Sequence, residues 1–197
     1  MILDGSDYLR FVAMRNILEN LSHEGSLPPC RAVFMRPNHR DAEYSANPAL
    51  PRLLTEQIPE ALASIIPVPA HASKRFAIGA SLGGLCLLHA HTHAPDFFGG
   101  LLVQSGSFFQ PHTDAVESKF SQFSRITNFV QQLAAHGADT VPIPIQMTCG
   151  SGGENLTNNR LMAATLKERG YPVTLTEWPD AHNWTSWRDC VGAALQN

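Results

Sequence analysis

The amino-acid sequence predicts an α/β fold built on a mainly parallel sheet. Short apolar runs alternate along the chain with longer segments in which apolar residues recur at helical spacing. Parallel strands need a crossover between them, and the intervening helices supply it while covering both faces of the sheet. The chain has 197 residues, of which 44% are hydrophobic, so we expect one core and a single domain over residues 1–197.

The elements of the first third follow from periodicity and from helix-breaking residues. Apolar side chains at helical spacing predict a helix over 8–21, which Gly25 and the prolines after it bring to an end. A continuous apolar run predicts a strand over 32–35, because a strand buried on both faces shows no alternation. A second periodic segment predicts a helix over 50–65, with a kink at Pro59.

The rest of the chain repeats the same order of strand and helix. The expected strands cover residues 76–79, 101–103, 143–149 and 173–178, and the helices that follow them cover residues 82–93, 125–136, 156–169 and 184–195. In such folds the functional loops cluster at the carboxyl ends of the strands. We therefore expect the longest irregular stretch, residues 104–122, to form part of a substrate wall.

Composition and charge narrow the range of partners. The net charge is −3 and the basic residues are scattered, so the chain lacks the basic face that binding to nucleic acid requires. No apolar run has the length of a membrane span, and the first residues lack the basic and apolar regions of a signal peptide. We expect a cytoplasmic protein that does not associate with membranes.

The segment Gly79-Ala-Ser81-Leu-Gly83 matches the G-x-S-x-G nucleophile elbow. It lies directly after a predicted strand and directly before a predicted helix, which is the setting this motif requires. The glycines permit the sharp turn, and the amino end of the helix directs N–H groups towards developing negative charge. We therefore predict that Ser81 is a catalytic nucleophile.

A serine hydroxyl needs a base to accept its proton. His182 lies in the loop after the last predicted strand, where the chain order serine, acid, histidine places the base. His89 and His93 share a helix face at a spacing that zinc ligands use, but no H-E-x-x-H motif accompanies them. We predict that His182 is the base and that the site holds no metal.

Two carboxylates are candidates for the acid that orients the histidine. Glu154 follows the predicted strand over 143–149 and a glycine-rich turn, which is the usual position for this acid. It could also serve as a first-turn helix acid, a role compatible with catalysis. Asp180 precedes His182 by two residues and would need an unusual loop to reach its ring. We predict Glu154 and keep Asp180 as the alternative.

An oxyanion hole needs two backbone N–H donors, each worth roughly 3 kcal/mol of the barrier. The residue after the nucleophile, Leu82, supplies one of them in this motif. The second comes from an earlier strand-end loop, and Ser6 in Leu3-Asp-Gly5-Ser6 is placed to supply it. We predict that Leu82 and Ser6 form the oxyanion hole.

Taken together, these segments resemble the esterase D-like putative esterase family and, within it, the enterochelin (ferric siderophore) esterases. The mycolyltransferases look like more distant relatives. The resemblance runs nearly from end to end and is carried by Leu3-Asp-Gly5, Leu27-Pro-Pro29, Arg40-Asp-Ala-Glu-Tyr44 with Asn47, Gly79-Ala-Ser-Leu-Gly-Gly84, Gln104-Ser-Gly-Ser-Phe108, Glu154 with Asn159-Arg160, and His182-Asn-Trp184 with Trp187-Arg188.

The resemblance implies an α/β-hydrolase fold, a three-layer sandwich, in which Ser81, Glu154 and His182 form the triad. It also implies hydrolysis of carboxylic esters through an acyl-enzyme, without metal or organic cofactor. Family members usually begin with further strands, so we expect the amino-terminal edge strands to be lacking. Ile2 and Leu3 would then remain at a sheet edge through which the chain could form a homo-oligomer.

A small siderophore ester of the enterochelin type is the substrate that the resemblance suggests. Ferric catecholates are anionic and call for a cationic pocket, to which Arg36, Arg40 and Arg188 could contribute. Two alternatives remain open. One is acyl transfer to an alcohol, as in the mycolyltransferases, and the other is a non-catalytic domain that keeps the fold as a binding module.

Overall fold

The structure is a computed structural model that describes residues 1–136, 141–153 and 155–196. Within these ranges, four parallel strands form one sheet in the order β1-β2-β3-β4. They are β1 (Phe76–Ala80), β2 (Gly100–Gln104), β3 (Ile145–Gly150) and β4 (Val173–Trp178). The predicted parallel sheet is confirmed, and each strand is joined to the next by a helical crossover.

The helices follow the predicted order, with shorter pieces in the first half of the chain. They are α1 (Gly5–Asp7), α2 (Met14–His23), α3 (Arg40–Tyr44), α4 (Leu50–Arg52), α5 (Ile58–Ala63), α6 (Leu82–His93), α7 (Phe123–His136), α8 (Leu156–Glu168) and α9 (Trp184–Gln196). None of the helices in the described ranges has the length and hydropathy that crossing a bilayer requires.

Local backbone geometry divides two helices that the sequence pattern predicts as continuous. Ala13 has a left-handed φ of 53° and separates the π-helical turn Tyr8–Val12 from α2. A π-helical turn, Leu53–Gln57, also precedes α5, whose second residue is Pro59. Proline has no N–H to donate to the preceding turn, and its ring crowds the carbonyl groups of that turn. The π-helical turn, which is wider than an α-helical one, therefore lies next to the kink predicted at Pro59.

Ile2 extends the sheet beyond β1. It forms parallel bridges with both Phe34 and Ile78, so the segment around Phe34 lies outside Ile2. The strand predicted over 32–35 is thus reduced to a single bridge. The sheet edge expected at Ile2 and Leu3 is displaced outwards to residues 33–35, because Val33 and Met35 pair with Ile2 through their backbone.

Each face of the sheet carries its own apolar core, as the predicted three-layer arrangement requires. Alternate residues of one strand point to opposite cores: Leu101 and Val103 pack with α6, α7 and α8, whereas Leu102 packs with α9 and the amino-terminal segment. This alternation explains why β2 reads as a continuous apolar run, since both of its faces are covered.

The histidines of α6 are buried within the fold. His89 is 5% exposed and His91 is 0% exposed, and His91 Nε2 lies 3.2 Å from the Tyr171 hydroxyl oxygen. Burial, reinforced at His89 by the neighbouring His93 ring, lowers the pKa of His89 to about 4. Burial likewise lowers the pKa of His91 to about 4. Both rings are therefore neutral in the folded protein at neutral pH.

This burial predicts an acid-sensitive fold. The unfolded chain binds protons on these histidines below their ordinary pKa of 6.5, while the folded chain does not until about pH 4. Stability is therefore full above pH 6.5 and should fall as the pH drops towards 4, by roughly 3 kcal/mol per histidine at most. Urea unfolding at several pH values gives the free energy of unfolding as a function of pH. The slope of that free energy against pH should be shallower for His91→Gln than for the parent. The slope for the exposed His23→Gln should equal that of the parent, and equal slopes for both variants would contradict the assignment.

Candidate active site

Ser81 stands at the turn between β1 and α6 with φ 55° and ψ −121°. A non-glycine residue rarely adopts a positive φ, so its surroundings must hold this conformation. The Ser81 N–H donates to the Gln104 carbonyl (2.8 Å), which anchors the turn to β2. A Cβ at Gly79 would lie 2.6 Å from the Gly83 backbone, and a Cβ at Gly84 would lie 2.7 Å from Val103. Glycine at both positions therefore lets the turn close and α6 approach the sheet.

His182 reaches Ser81 from the loop after β4. Its Nε2 lies 3.1 Å from Ser81 Oγ, a hydrogen-bonding distance across 101 residues of chain. Trp187 of α9 packs edge-on against the imidazole, with ring centroids 5.1 Å apart, and its Nε1–H donates to Ser105 Oγ (3.1 Å). The histidine ring is thus held against the elbow by a tryptophan that is itself fixed.

The other side of the His182 ring faces the turn after β3. Asn155 Nδ2 lies 3.4 Å from His182 Nδ1 and also donates to the Ser105 carbonyl (3.3 Å). Glu154, the predicted acid, lies outside the described residues. Asp180 Oδ1 accepts from the Ala181 N–H (2.6 Å) and from Asn183 Nδ2 (3.3 Å), which holds that carboxylate within its own loop.

A second serine contacts the predicted nucleophile. Ser107 Oγ lies 3.0 Å from Ser81 Oγ, and the Ser107 N–H donates to the Ser81 carbonyl (3.2 Å). Asn159 fixes this loop by bonding both backbone groups of Gly106, the N–H at 3.0 Å and the carbonyl at 2.9 Å. Ser107 is 2% exposed, so the contact between the two hydroxyl groups is largely shielded from water.

The two predicted oxyanion donors lie at helix amino ends. Leu82 is the first residue of α6, where N–H groups have no acceptor within the helix, while Ser6 is exposed in α1. Ser6 is not among the described residues that line the cavity beside Ser81. Asp4, directly before α1, is buried and has a left-handed φ of 51°; Arg40 connects it to the elbow, because Arg40 Nη2 bonds Asp4 and lies 3.4 Å from the Ala80 carbonyl oxygen.

Asp4 and Arg40 form a two-point ion pair next to the elbow. Arg40 Nε and Nη2 each donate to Asp4 at 2.8 Å, and Nη2 lies 3.4 Å from the Ala80 carbonyl oxygen. The Asp4 side chain is 1% exposed and that of Arg40 is 34% exposed. Burial is the largest single effect and disfavours the Arg40 charge, but the hydrogen bonds to Asp4 and the attraction of Asp4 and other nearby acidic groups together outweigh it and raise the pKa of Arg40.

A cavity of about 200 Å³ opens beside Ser81. Its lining residues come from α3, the elbow, the stretch predicted as a substrate wall, the turn after β3 and the histidine loop; they are Arg40, Ser81, Leu82, Ser107, Phe109, Glu117, Phe120, Asn155 and His182. Arg36 and Arg188 are both exposed and lie outside this lining, and Arg188 Nε pairs with Asp189 (2.7 Å). Of the three predicted arginines, the fold brings Arg40 to Ser81.

The sequence matches a family model described as "Putative esterase" over residues 1–196. The chain belongs to this family. The iron(III) enterobactin esterase of Escherichia coli (strain K12) is 30% identical over 115 residues, which are 57% of this chain and 29% of that protein. The iron(III) enterobactin esterase of Dickeya dadantii (strain 3937) is 25% identical over 194 residues, or 95% and 44% of the two chains.

Solved structures of esterases share the fold. The enterobactin esterase of Shigella flexneri, crystallised in the presence of enterobactin, superposes with a TM-score of 0.82 at 24% identity, covering 99% of this chain and 49% of that one. A fluorophosphonate-binding serine hydrolase of Staphylococcus aureus gives a TM-score of 0.70 at 16% identity, covering 99% and 80%. The fold is therefore that of the α/β-hydrolases, and the chain spans half or less of the length of its enterobactin esterase relatives.

Several residues of the site belong to no catalytic motif, so the sequence alone could not identify them. Ser107 lies in the family-like segment Gln104-Ser-Gly-Ser-Phe108, but nothing in that pattern indicates a contact with Ser81. Glu117 and Phe120 belong to the predicted wall, and their approach to the cavity depends on how the wall folds back. Among the described residues, no group of three His, Cys, Asp or Glu side chains is arranged to hold a metal ion.

Proposed function

We propose that this member of the esterase family hydrolyses carboxylic esters through an acyl-enzyme on Ser81. The observation that carries the proposal is the 3.1 Å distance between Ser81 Oγ and His182 Nε2. A hydroxyl in hydrogen-bond contact with an imidazole, on a strained turn at a helix amino end, is the arrangement that activates serine as a nucleophile. The esterase names of the relatives agree with this chemistry and do not favour acyl transfer or a non-catalytic domain.

The mechanism follows from that geometry. Ser81 Oγ attacks the ester carbonyl carbon while His182 Nε2 accepts the serine proton, and the N–H groups of Leu82 and Ser6 bind the oxyanion. The ester C–O bond then breaks as His182 returns this proton to the leaving alcohol. A water molecule gives a proton to His182, attacks the acyl carbon and releases the carboxylic acid, and Ser81 recovers its hydrogen.

We propose a catecholate siderophore ester as the natural substrate class. The relatives named as iron(III) enterobactin esterases support this choice, and so does the aromatic lining from Phe109 and Phe120. The test is turnover of purified protein on aryl esters and on an enterobactin-type trilactone, with products analysed with and without added alcohols. Free acid as the sole product is expected; transesterified product, or no labelling of folded protein by a fluorophosphonate, would contradict the proposal.

Glu154 is proposed as the acid that orients His182. Glu154→Gln should lower kcat by about 10⁴-fold, as loss of the orienting carboxylate does in related triads. Asp180→Asn should lower it less than about tenfold, because the Asp180 carboxylate bonds within its own loop. Steady-state rates on one aryl ester measure both variants. The opposite ranking would transfer the role to Asp180.

The cytoplasmic location and the homo-oligomer formed through a sheet edge both stay predictions from the sequence. The edge that would pair is now the segment around Phe34 rather than Ile2, because Ile2 has backbone partners on both sides.

A further inference from the structure

The described lining of the cavity does not have the positive charge that is expected of a pocket for an anionic substrate. Among the described lining residues, Arg40 and Glu117 carry charged side chains. Arg40 is bound at two points to Asp4, whose side chain is 1% exposed, so the two charges cancel for any group more than a few ångströms away. The Glu117 carboxylate is therefore the uncompensated charge of the described lining.

Glu117 is carried on a wall that the fold holds in place. It lies in the 3₁₀ turn Ala115–Lys119, and the Phe120 N–H donates to its carbonyl (2.8 Å). Asp114, just before this turn, accepts from Asn158 Nδ2 at 2.8 and 2.9 Å and from the Gln110 N–H at 2.7 Å. The charge of Asp114 is thus used to fasten the wall to α8, whereas the Glu117 side chain has no such bond among the described residues and is one of those that line the cavity.

Aromatic rings complete the same wall. Phe109 is stacked on Phe123 with ring centroids 6.0 Å apart and meets Phe120 edge-on at 6.5 Å. Phe109 and Phe120 both line the cavity, whose volume is about 200 Å³. Pockets that enclose a whole drug-sized ligand measure roughly 300–1,000 Å³. The space beside Ser81 therefore suits a single aromatic ester arm.

We propose that Glu117 selects for uncharged or cationic aryl esters, so that the cavity takes a protonated phenolic arm and rejects an anionic one. This proposal rests on the esterase function proposed above. A phenol or catechol O–H can donate a charge-assisted hydrogen bond to the Glu117 carboxylate. An iron-bound catecholate has lost those protons, so its oxygens would instead repel the carboxylate. Among catecholate siderophores, the iron-free arm is the preferred substrate.

The test uses three 4-nitrophenyl benzoates whose acyl rings carry a neutral, a trimethylammonium or a carboxylate substituent. Each kcat/KM is divided by the rate of alkaline hydrolysis of the same ester, which removes differences in intrinsic reactivity. The normalised kcat/KM of the neutral and cationic esters should be at least tenfold higher than that of the anionic ester. Glu117→Gln should reduce this ratio of normalised kcat/KM values about tenfold. Glu117→Lys should reverse the preference.

A matched control removes the same charge elsewhere. Glu60→Gln alters an exposed carboxylate of α5 that does not line the cavity, and its ratios should equal those of the parent. An unchanged ratio in Glu117→Gln, or a parent preference for the anionic ester, would overturn the proposal. Failure of the esterase function itself looks different, because then none of the three esters is turned over and a fluorophosphonate leaves the parent unlabelled.

Discussion

Replacing Ser81 with alanine should lower kcat on an aryl ester by roughly 10⁴- to 10⁶-fold, the loss that follows removal of a triad nucleophile. The reason is that Ser81 Oγ lies 3.1 Å from His182 Nε2 and is the atom proposed to bond to the acyl group. Fluorophosphonate labelling of the variant should disappear as well. Pre-steady-state kinetics of the parent with substrate in excess should show a burst of alcohol release equal to the enzyme concentration whenever deacylation is the slower step.

Ser107→Ala is the matched control for that variant. It deletes the same type of atom, 3.0 Å from Ser81 Oγ, within the same loop cluster. Losing one neutral hydrogen bond changes a free energy by about 1 kcal/mol, which corresponds to a fall in kcat of roughly fivefold. Labelling by the fluorophosphonate should persist. If Ser107→Ala lost as much activity as Ser81→Ala, the assignment of Ser81 as the sole nucleophile would be wrong.

Arg40→Ala should lower the free energy of unfolding by about 3 kcal/mol, because it leaves a buried Asp4 carboxylate without its cation. Urea unfolding followed by circular dichroism measures the change. The activity should fall with it, since Asp4 fixes the loop that carries the proposed donor Ser6. Adding Asp4→Asn to Arg40→Ala should restore part of the lost stability, because the uncompensated charge is then removed.

An exposed ion pair of the same kind gives the reference for this effect. Arg52 pairs with Glu56 at 3.0 Å, with side chains 72% and 64% exposed. Arg52→Ala should therefore cost less than about 0.5 kcal/mol, because solvent screens such pairs. Equal losses for Arg40→Ala and Arg52→Ala would show that the pair beside the elbow has no special role.

The predicted bounds of strands and helices were correct where the apolar pattern and the flanking turn residues agree. The strand β4 occupies the residues predicted for it, since turn residues bound a segment in which apolar and polar side chains largely alternate. The helix α6 likewise runs from Leu82 to His93, because it is a strongly apolar segment that begins at the elbow. The helix predicted over 8–21 was not continuous, since Ala13 takes a conformation that no propensity indicates. The strand predicted over 32–35 shrank to a bridge, because strand pairing depends on a partner far along the chain.

The sequence by itself determined the class of fold, the serine at the elbow and the histidine after the last strand, because each depends on local pattern and chain order. Only the tertiary structure decided that Asp4 pairs with Arg40, that Ser107 contacts Ser81 and that Glu117 lines the cavity. The first two contacts join residues 36 and 26 positions apart, and their distances are set by how helices pack on the sheet. No periodicity along a chain encodes such packing.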